Sequence, residues 1–123
     1  KSALSNEGAF ALAGRLQEMF EQEKIYLDPD LTLDILAKRT RLSRHHISQA
    51  VNAVFEMGFP EWLSQWRVEA AKALLASEKG RTMIIKEVAY ESGFNSKAAF
   101  NAVFKKWTGM TPSEYRTGQN AEI

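Results

Sequence analysis

The clearest hydrophobic pattern in the chain lies between residues 84 and 116, where two short helical repeats flank a Gly-Phe-Asn-Ser turn. The apolar residues of the second repeat are Phe100, Val103, Phe104 and Trp107. Because they recur at i, i+3, i+4 and i+7, they share one face of a helix. The opposite face carries Ala98, Asn101, Ala102 and Lys105. A short helix, a tight turn and a second helix with a small, polar outer face are typical of a helix-turn-helix motif that reads DNA.

A similar pattern occurs earlier in the chain. Thr32 is placed to cap a helix that ends at Thr40, and Ser43 is the natural N-cap of a second helix that runs to about Phe55. At about 100° per residue, the inner face of this second helix carries Ile47, Ala50, Val51 and Val54. Its outer face carries His45, Ser48, Gln49 and Asn52, with the same spacing as the outer face of the later helix.

The two helix pairs align as an internal repeat. The corresponding positions are Ala37 and Ala89, Arg41 and Gly93, Leu42 and Phe94, Ile47 and Phe100, and Val51 and Phe104. The offset is 52 residues before the turn and 53 after it, so the second unit carries one extra turn residue. The chain is therefore predicted to contain two helix-turn-helix units.

Three further helices are predicted outside the repeat. Residues 7–24 show one apolar stripe, as in a surface helix packed on a core. Residues 59–76 show two apolar faces, which predicts a rigid central helix with one unit packed at each end. After a polar loop over residues 77–81, the run Thr111-Pro112-Ser113-Glu114 is a capping box that starts a last short helix through about Arg116.

These elements predict an all-α fold with five segments. Residues 1–6 are expected to lack regular structure, 7–58 to form the first helix and first helix-turn-helix unit, and 59–76 to form the linker helix. Residues 77–117 are expected to form the second unit and 118–123 a flexible tail. Because the chain begins with Lys1 and its first methionine is Met19, we also expect it to be part of a longer protein.

Composition and charge narrow the possible functions. The hydrophobic fraction is 45% and the charged fraction 25%, both ordinary for a globular domain, and there is no cysteine for a disulfide or thiolate site. The net charge is only +1, but residues 1–30 carry −3 and residues 31–123 carry +4. The basic excess therefore accompanies the helix-turn-helix units.

Neither a catalytic site nor a cofactor or metal site is indicated. No Ser-His-Asp set, glycine-rich phosphate loop or paired carboxylates can be recognised, so the chain is not expected to be an enzyme or to need a cofactor. Adjacent His45 and His46 point about 100° apart on a helix, so they do not form a metal pair. No apolar run reaches the ~18 residues of a membrane span, and no membrane contact is expected.

Several short motifs together carry a family resemblance. They are Ile85-Lys86-Glu87-Val88-Ala89-Tyr90, Gly93-Phe94-Asn95-Ser96, Phe104-Lys105-Lys106 and Gly109-Met110-Thr111-Pro112-Ser113-Glu114-Tyr115-Arg116. With them, the run from Leu31 to Arg116, about 86 of the 123 residues, resembles the DNA-binding domain of AraC/XylS-family bacterial transcription regulators. The resemblance implies about seven helices in two helix-turn-helix subdomains, whose recognition helices enter successive major-groove segments of DNA.

The resemblance also implies which residues contact DNA. The matching base-reading positions are Arg44, His45, Ser48, Gln49, Asn52, Lys97, Ala98, Asn101 and Ala102. The matching phosphate-contacting positions are Thr32, Arg41, Ser43, Ser96, Lys105 and Lys106. Gln49 suits a bidentate contact with adenine, whereas two alanines in the second helix offer only methyl contacts. The first unit is therefore expected to do most of the reading and the second mainly to grip the backbone.

Three local expectations concern the fold. Arg41 stands where the second unit has Gly93, so it must adopt the left-handed region at a cost of about 1 kcal/mol. Ile84 stands where the resembling family commonly has a capping Ser or Asp, so the helix start is expected to shift to Thr82. The three tryptophans are expected in the core: Trp62, Trp66 and Trp107.

Partners follow from the same resemblance. We expect double-stranded DNA as the partner of this chain, with RNA polymerase as a further partner of the full-length regulator and activation as its commoner output. Dimerisation is expected through a domain upstream, and the location is expected to be the cytoplasm, at the nucleoid. The alternative is a helical protein-interaction module that keeps the fold without reading DNA. Affinity that falls steeply with salt and prefers particular duplexes distinguishes the first from the second.

Overall fold

The computed structural model describes residues 3–121, which form seven α-helices and contain no strand. The helices are α1 (Asn6–Glu23), α2 (Leu33–Thr40), α3 (Arg44–Phe55), α4 (Phe59–Ala76), α5 (Ile85–Glu91), α6 (Lys97–Thr108) and α7 (Pro112–Ala121). Two short 3₁₀ turns cover Ile25–Leu27 and Lys79–Arg81. The prediction of an all-α fold with seven helices is confirmed. The chain divides within α4 into two compact units, Lys1–Leu63 and Ser64–Ile123.

Helix α1 begins earlier, and the last helix ends later, than the sequence predicts. The Ser5 hydroxyl accepts a hydrogen bond from the Gly8 N–H at 3.0 Å, so α1 begins at Asn6. The expectation that residues 1–6 lack regular structure is therefore wrong from Ser5 onward, because a serine N-cap fixes the first turn. At the other end, α7 continues past the predicted end near Arg116 to Ala121, into the segment 118–123 predicted as a tail. Residues 1–2 and 122–123 lie outside the described residues.

The first unit is built on the apolar stripe of α1. Leu16 and Phe20 are completely buried, as are Leu36 of α2 and Ile47 of α3. The Phe20 ring stacks on the Trp62 ring with 4.5 Å between centroids, and Phe55 stacks on Trp62 from 5.2 Å. This packing leaves the inner face of α3 dry and directs its other face outward.

The second unit has its own aromatic core. Phe94, Phe100 and Phe104 follow one another at centroid distances of 5.0 and 5.5 Å, and Tyr115 of α7 meets Phe104 edge-on at 5.5 Å. Val88 and Ala89 of α5 close this core, so the inner face predicted for α6 is confirmed. Trp107 is an exception: its side chain is 37% exposed, and its predicted place in the core is wrong. It lies in the last turn of the 12-residue α6, whose partner α5 has only seven residues.

The two apolar faces predicted for α4 are present. Phe59, Trp62 and Leu63 are buried in the first unit. Val68, Ala71 and Leu75 belong to the buried core of the second unit. Trp66, also expected in the core, is only half-buried. One helix therefore contributes side chains to both cores, with the exact bounds, Phe59–Ala76, that its pattern predicts.

The turns between the paired helices have the same hydrogen bond in both units. The Leu42 N–H donates to the Ala37 carbonyl at 3.1 Å, and the Phe94 N–H donates to the Ala89 carbonyl at 2.9 Å. Arg41 takes φ = 60°, as predicted, and Gly93 at the matching position takes φ = 95°. This equivalence confirms the repeat, since residues that correspond in sequence make the same backbone bond.

The start of α5 differs from the prediction. The helix begins at Ile85 with Ile84 as its N-cap residue, not at Thr82. The Ile84 carbonyl accepts from the Glu87 and Val88 N–H groups at 3.0 and 3.2 Å, so the main chain starts the helix without a capping side chain. A polar side chain at the N-cap strengthens a helix start but is not required for one.

The loop between α4 and α5 is fastened to α7. Arg116 donates from Nη1 to the Gly80 carbonyl at 3.1 Å and to the Met83 carbonyl. Gly80 is buried, and a Cβ at this position would lie 1.8 Å from the Leu74 carbonyl oxygen. Only glycine fits there, because the loop passes directly against the end of α4. The two Arg116 hydrogen bonds therefore tie α7 to the loop that leads into α5.

Candidate nucleic-acid interface

The outer face of α3 borders an open depression of about 750 Å³ lined by Leu33, Ser43, Arg44, His45 and Ser48. Arg44, His45 and Asn52 are exposed, whereas Ser48 and Gln49 are half-buried. The five residues predicted to read bases in the first unit therefore do lie on one helix and outside its core. Guanidinium, imidazole, hydroxyl and amide groups are the side chains that hydrogen-bond to base edges in the major groove.

Arg44 has an acidic neighbour that the sequence did not reveal as part of this surface. Its Nη1 lies 3.0 Å from Oδ1 of Asp34 on α2, and both side chains are more than 60% exposed. A solvent-exposed pair of this kind is weak, typically worth under about 1 kcal/mol. The carboxylate nevertheless places a negative charge at the edge of the predicted reading face.

Gln49 is engaged within the first unit. Its Oε1 accepts from the Leu4 N–H at 3.1 Å, and its Nε2 donates to the Leu4 carbonyl at 3.2 Å. Gln49 can contact a base through the same edge of its amide only if these bonds open. No sequence pattern indicated this contact, because the two residues are 45 positions apart.

Three predicted phosphate-contacting residues are N-caps. The hydroxyls of Thr32, Ser43 and Ser96 accept from the N–H groups of Ile35, His46 and Ala99 at 3.2, 3.2 and 3.0 Å. Each hydroxyl keeps its own hydrogen, which can be donated to a phosphate oxygen. The helix N-terminus beside it also favours an anion. Arg41 is exposed in the turn between the capped helices α2 and α3.

The outer face of α6 borders a second open depression, of about 530 Å³. Its lining includes Lys97, Ala98, Asn101, Ala102 and Lys105, together with Ile85, Thr111 and Ser113. All the base-reading positions predicted for α6 therefore lie together, with Lys105 among them. Lys106 is exposed, but consecutive side chains on a helix diverge by about 100°, so it points away from Lys105.

Two further findings concern metal ions and membranes. Within residues 3–121 there is no cluster of three or more His, Asp or Glu side chains that could hold a metal ion. None of the helices described is both long and apolar enough to cross a membrane.

The chain is similar to known helix-turn-helix proteins. A family model described as a helix-turn-helix domain matches residues 36–118, from within α2 to within α7. A curated relative, the uncharacterised HTH-type transcriptional regulator YijO of Escherichia coli (strain K12), is 34% identical over 115 residues, which are 90% of this chain and 40% of that protein. The chain thus spans less than half of the length of this relative.

Two solved structures have a fold similar to that of this chain. The C-terminal domain of the two-component response regulator yesN from Fusobacterium nucleatum is 31% identical with a TM-score of 0.71, covering 83% of this chain and 98% of that domain. The DNA-binding domain of the global transcriptional factor AdpA, solved in complex with a target DNA, is 25% identical with a TM-score of 0.75. That match covers 90% of this chain and 94% of the AdpA domain.

Proposed function

Because the chain belongs to the AraC-type helix-turn-helix family of transcription regulators and is a DNA-binding domain of that family, we propose that it binds DNA sequence-specifically through α3 and α6. Each helix would enter one of two successive major-groove segments. The observation that carries the proposal is the presence of two outward helix faces with matching spacing, each bordering an open depression.

Helices α3 and α6 would have different roles in binding DNA. In the first unit, Arg44, His45, Ser48 and Asn52 offer hydrogen-bonding groups for base edges. In the second unit, Asn101 is flanked by Ala98 and Ala102, which offer methyl contacts with thymine. Lys97 and Lys105 on the same face suit phosphates, which position a protein without specifying sequence. Most of the discrimination between sequences would therefore come from α3, and α6 would mainly contact the phosphate backbone.

The proposal is tested by selecting bound sequences from a random duplex library and then measuring affinity against salt. We expect a site with two blocks about one helical turn apart, and affinity that falls steeply as salt rises. Arg44→Ala should cost more discrimination than Ala98→Ser, which changes the face of α6 without removing a charge. Binding that neither prefers a duplex nor depends on salt would refute the proposal and favour a protein-interaction module on the same fold.

For the regulator that contains this domain, we propose activation of transcription through contact with RNA polymerase, in the cytoplasm at the nucleoid. Dimerisation would be a property of another domain. A reporter gene placed behind the selected site tests the direction of control. Expression that rises on disruption of the regulator, rather than falling, would show repression instead.

A further inference from the structure

The bond pattern between Gln49 and Leu4 matches the pattern by which glutamine reads adenine. Leu4 presents one donor, its N–H, and one acceptor, its carbonyl, to the two ends of the same side-chain amide. In the major groove, adenine presents one donor, the N6 amino group, and one acceptor, N7. The backbone of Leu4 therefore offers Gln49 the same pair of partners as an adenine edge.

The two partners compete because a glutamine amide has one edge that can bond in this paired manner. That edge consists of the carbonyl oxygen and the amide hydrogen on the same side. The remaining hydrogen and lone pair point away from each other and cannot replace it. While Leu4 holds this edge, Gln49 is a half-buried link between the chain entering α1 and the recognition helix α3.

The contact is well placed to open. Leu4 lies outside α1, two residues before its first helical residue, and Ser5 holds the first turn of α1 independently through its bond to Gly8. Release of Leu4 therefore leaves the N-cap intact. Each of the two neutral hydrogen bonds contributes a net of only about 1 kcal/mol, and a bidentate contact with adenine forms two such bonds in their place.

From this geometry we propose that the Leu4 backbone competes with an adenine of the target DNA for Gln49, so that the segment before α1 controls whether α3 reads that base. This inference rests on the proposed DNA binding. With Leu4 engaged, α3 reads through its other outward residues. With Leu4 released, Gln49 adds a bidentate contact, and discrimination at one adenine increases.

The test uses variants that act on one partner at a time. Leu4→Pro removes the donated N–H while keeping the carbonyl, and Leu4→Ala keeps both backbone groups and serves as the matched control. In a selection from a random duplex library at fixed salt, Leu4→Pro should raise the preference for adenine at one position by roughly ten-fold. Leu4→Ala should leave that preference unchanged. In a Gln49→Ala background, Leu4→Pro should no longer alter it.

A second measurement on the unaltered protein does not depend on how the variants fold. The exchange of the Leu4 amide hydrogen with solvent should speed up several-fold when the selected duplex is added, because that hydrogen loses its acceptor. If the protein binds the duplex and the Leu4 amide stays protected from exchange, the proposed competition is refuted. It is also refuted if Leu4→Pro changes the adenine preference by the same factor in the Gln49→Ala background. If the unaltered protein binds no duplex with salt dependence, the proposed function itself fails.

Discussion

Two serine hydroxyl groups in the second helix-turn-helix unit affect the stability of the fold in opposite directions. Ser92, at the end of α5, is 1% exposed, and its Oγ has no hydrogen-bond partner in the part of the chain that the structure describes. Ser96, four residues later, caps α6 by accepting from the Ala99 N–H at 3.0 Å. Burying an unpaired hydroxyl costs free energy, whereas a capping hydroxyl stabilises a helix start.

Replacing each serine by alanine therefore separates the two effects. Ser92→Ala should leave the free energy of unfolding unchanged or raise it by about 1 kcal/mol, because the unpaired hydroxyl is removed. Ser96→Ala should lower it by about 1 kcal/mol, because the Ala99 N–H loses its partner. Chemical denaturation followed by circular dichroism measures both. A loss of stability in Ser92→Ala would mean that its hydroxyl has a partner such as a buried water.

Asp34 should weaken DNA binding in the native chain, since its carboxylate holds Arg44 and repels phosphates. Asp34→Asn is expected to tighten binding to a duplex of unrelated sequence on the order of five-fold, or about 1 kcal/mol, at low salt. Glu18→Gln on α1 makes the same change of charge at a residue that lines a different depression, and it serves as the control. Equal effects of the two variants, measured by fluorescence anisotropy, would show that only net charge matters.

At the scale of elements, two reciprocal hydrogen bonds form the start of α7 in the second unit. Glu114 accepts from the Thr111 N–H at 2.8 Å, and the Thr111 hydroxyl accepts from the Glu114 N–H at 3.1 Å. This capping box starts α7, which carries Tyr115 against Phe104 and Arg116 against the loop before α5. The local start of one helix thus supports two long-range contacts.

The capping box makes α7 sensitive to acid. Its hydrogen bonds with Thr111 lower the pKa of Glu114 below 4.5, its ordinary value. The ionised carboxylate therefore stabilises the folded state above that pH, and this stabilisation is lost as the pH falls through the lowered pKa. Glu114→Gln keeps an acceptor that does not titrate. The unaltered protein should be the more stable at neutral pH, and the two should converge in acid. Thermal melts at several pH values that show a constant difference would contradict this.

At the scale of the whole molecule, the distribution of charge matters more for the proposed DNA binding than the net charge does. The net charge is +1, yet lysines and arginines accompany both predicted reading faces, with Arg44 on α3 and Lys97 and Lys105 on α6. Each phosphate contact releases counterions on binding, so the number of contacts sets the dependence of affinity on salt. A nearly neutral domain can therefore still bind DNA in a strongly salt-dependent manner.

Lys105 and Lys106 provide a matched pair for this effect. Lys105 lines the depression in front of α6, whereas Lys106 points away from it. Lys105→Gln should reduce the slope of log affinity against log salt by about 0.9, the value of one phosphate contact, and Lys106→Gln should reduce it by less. Titrations at several salt concentrations give both slopes. A larger effect of Lys106→Gln would place the DNA against a different side of α6.

Local features of the chain could be predicted because they depend on near neighbours. The apolar period gave the bounds of α4, Ser43 marked the start of α3, and Arg41 matched Gly93 in the turn. Caps, turns and helix faces are set by residues within about five positions of one another, so their chemistry can be read directly from the order of residues. The composition of each predicted reading face was determined in the same way.

What only the tertiary structure decided is which of those outward side chains already has a partner. Gln49 meets Leu4 across 45 positions, Arg44 meets Asp34 on the preceding helix, and Trp107 stays partly exposed in the last turn of α6. Each outcome depends on how helices pack and where each one ends in space. Periodicity assigns a side chain to a face of its helix, but the packing of other elements determines what that face meets.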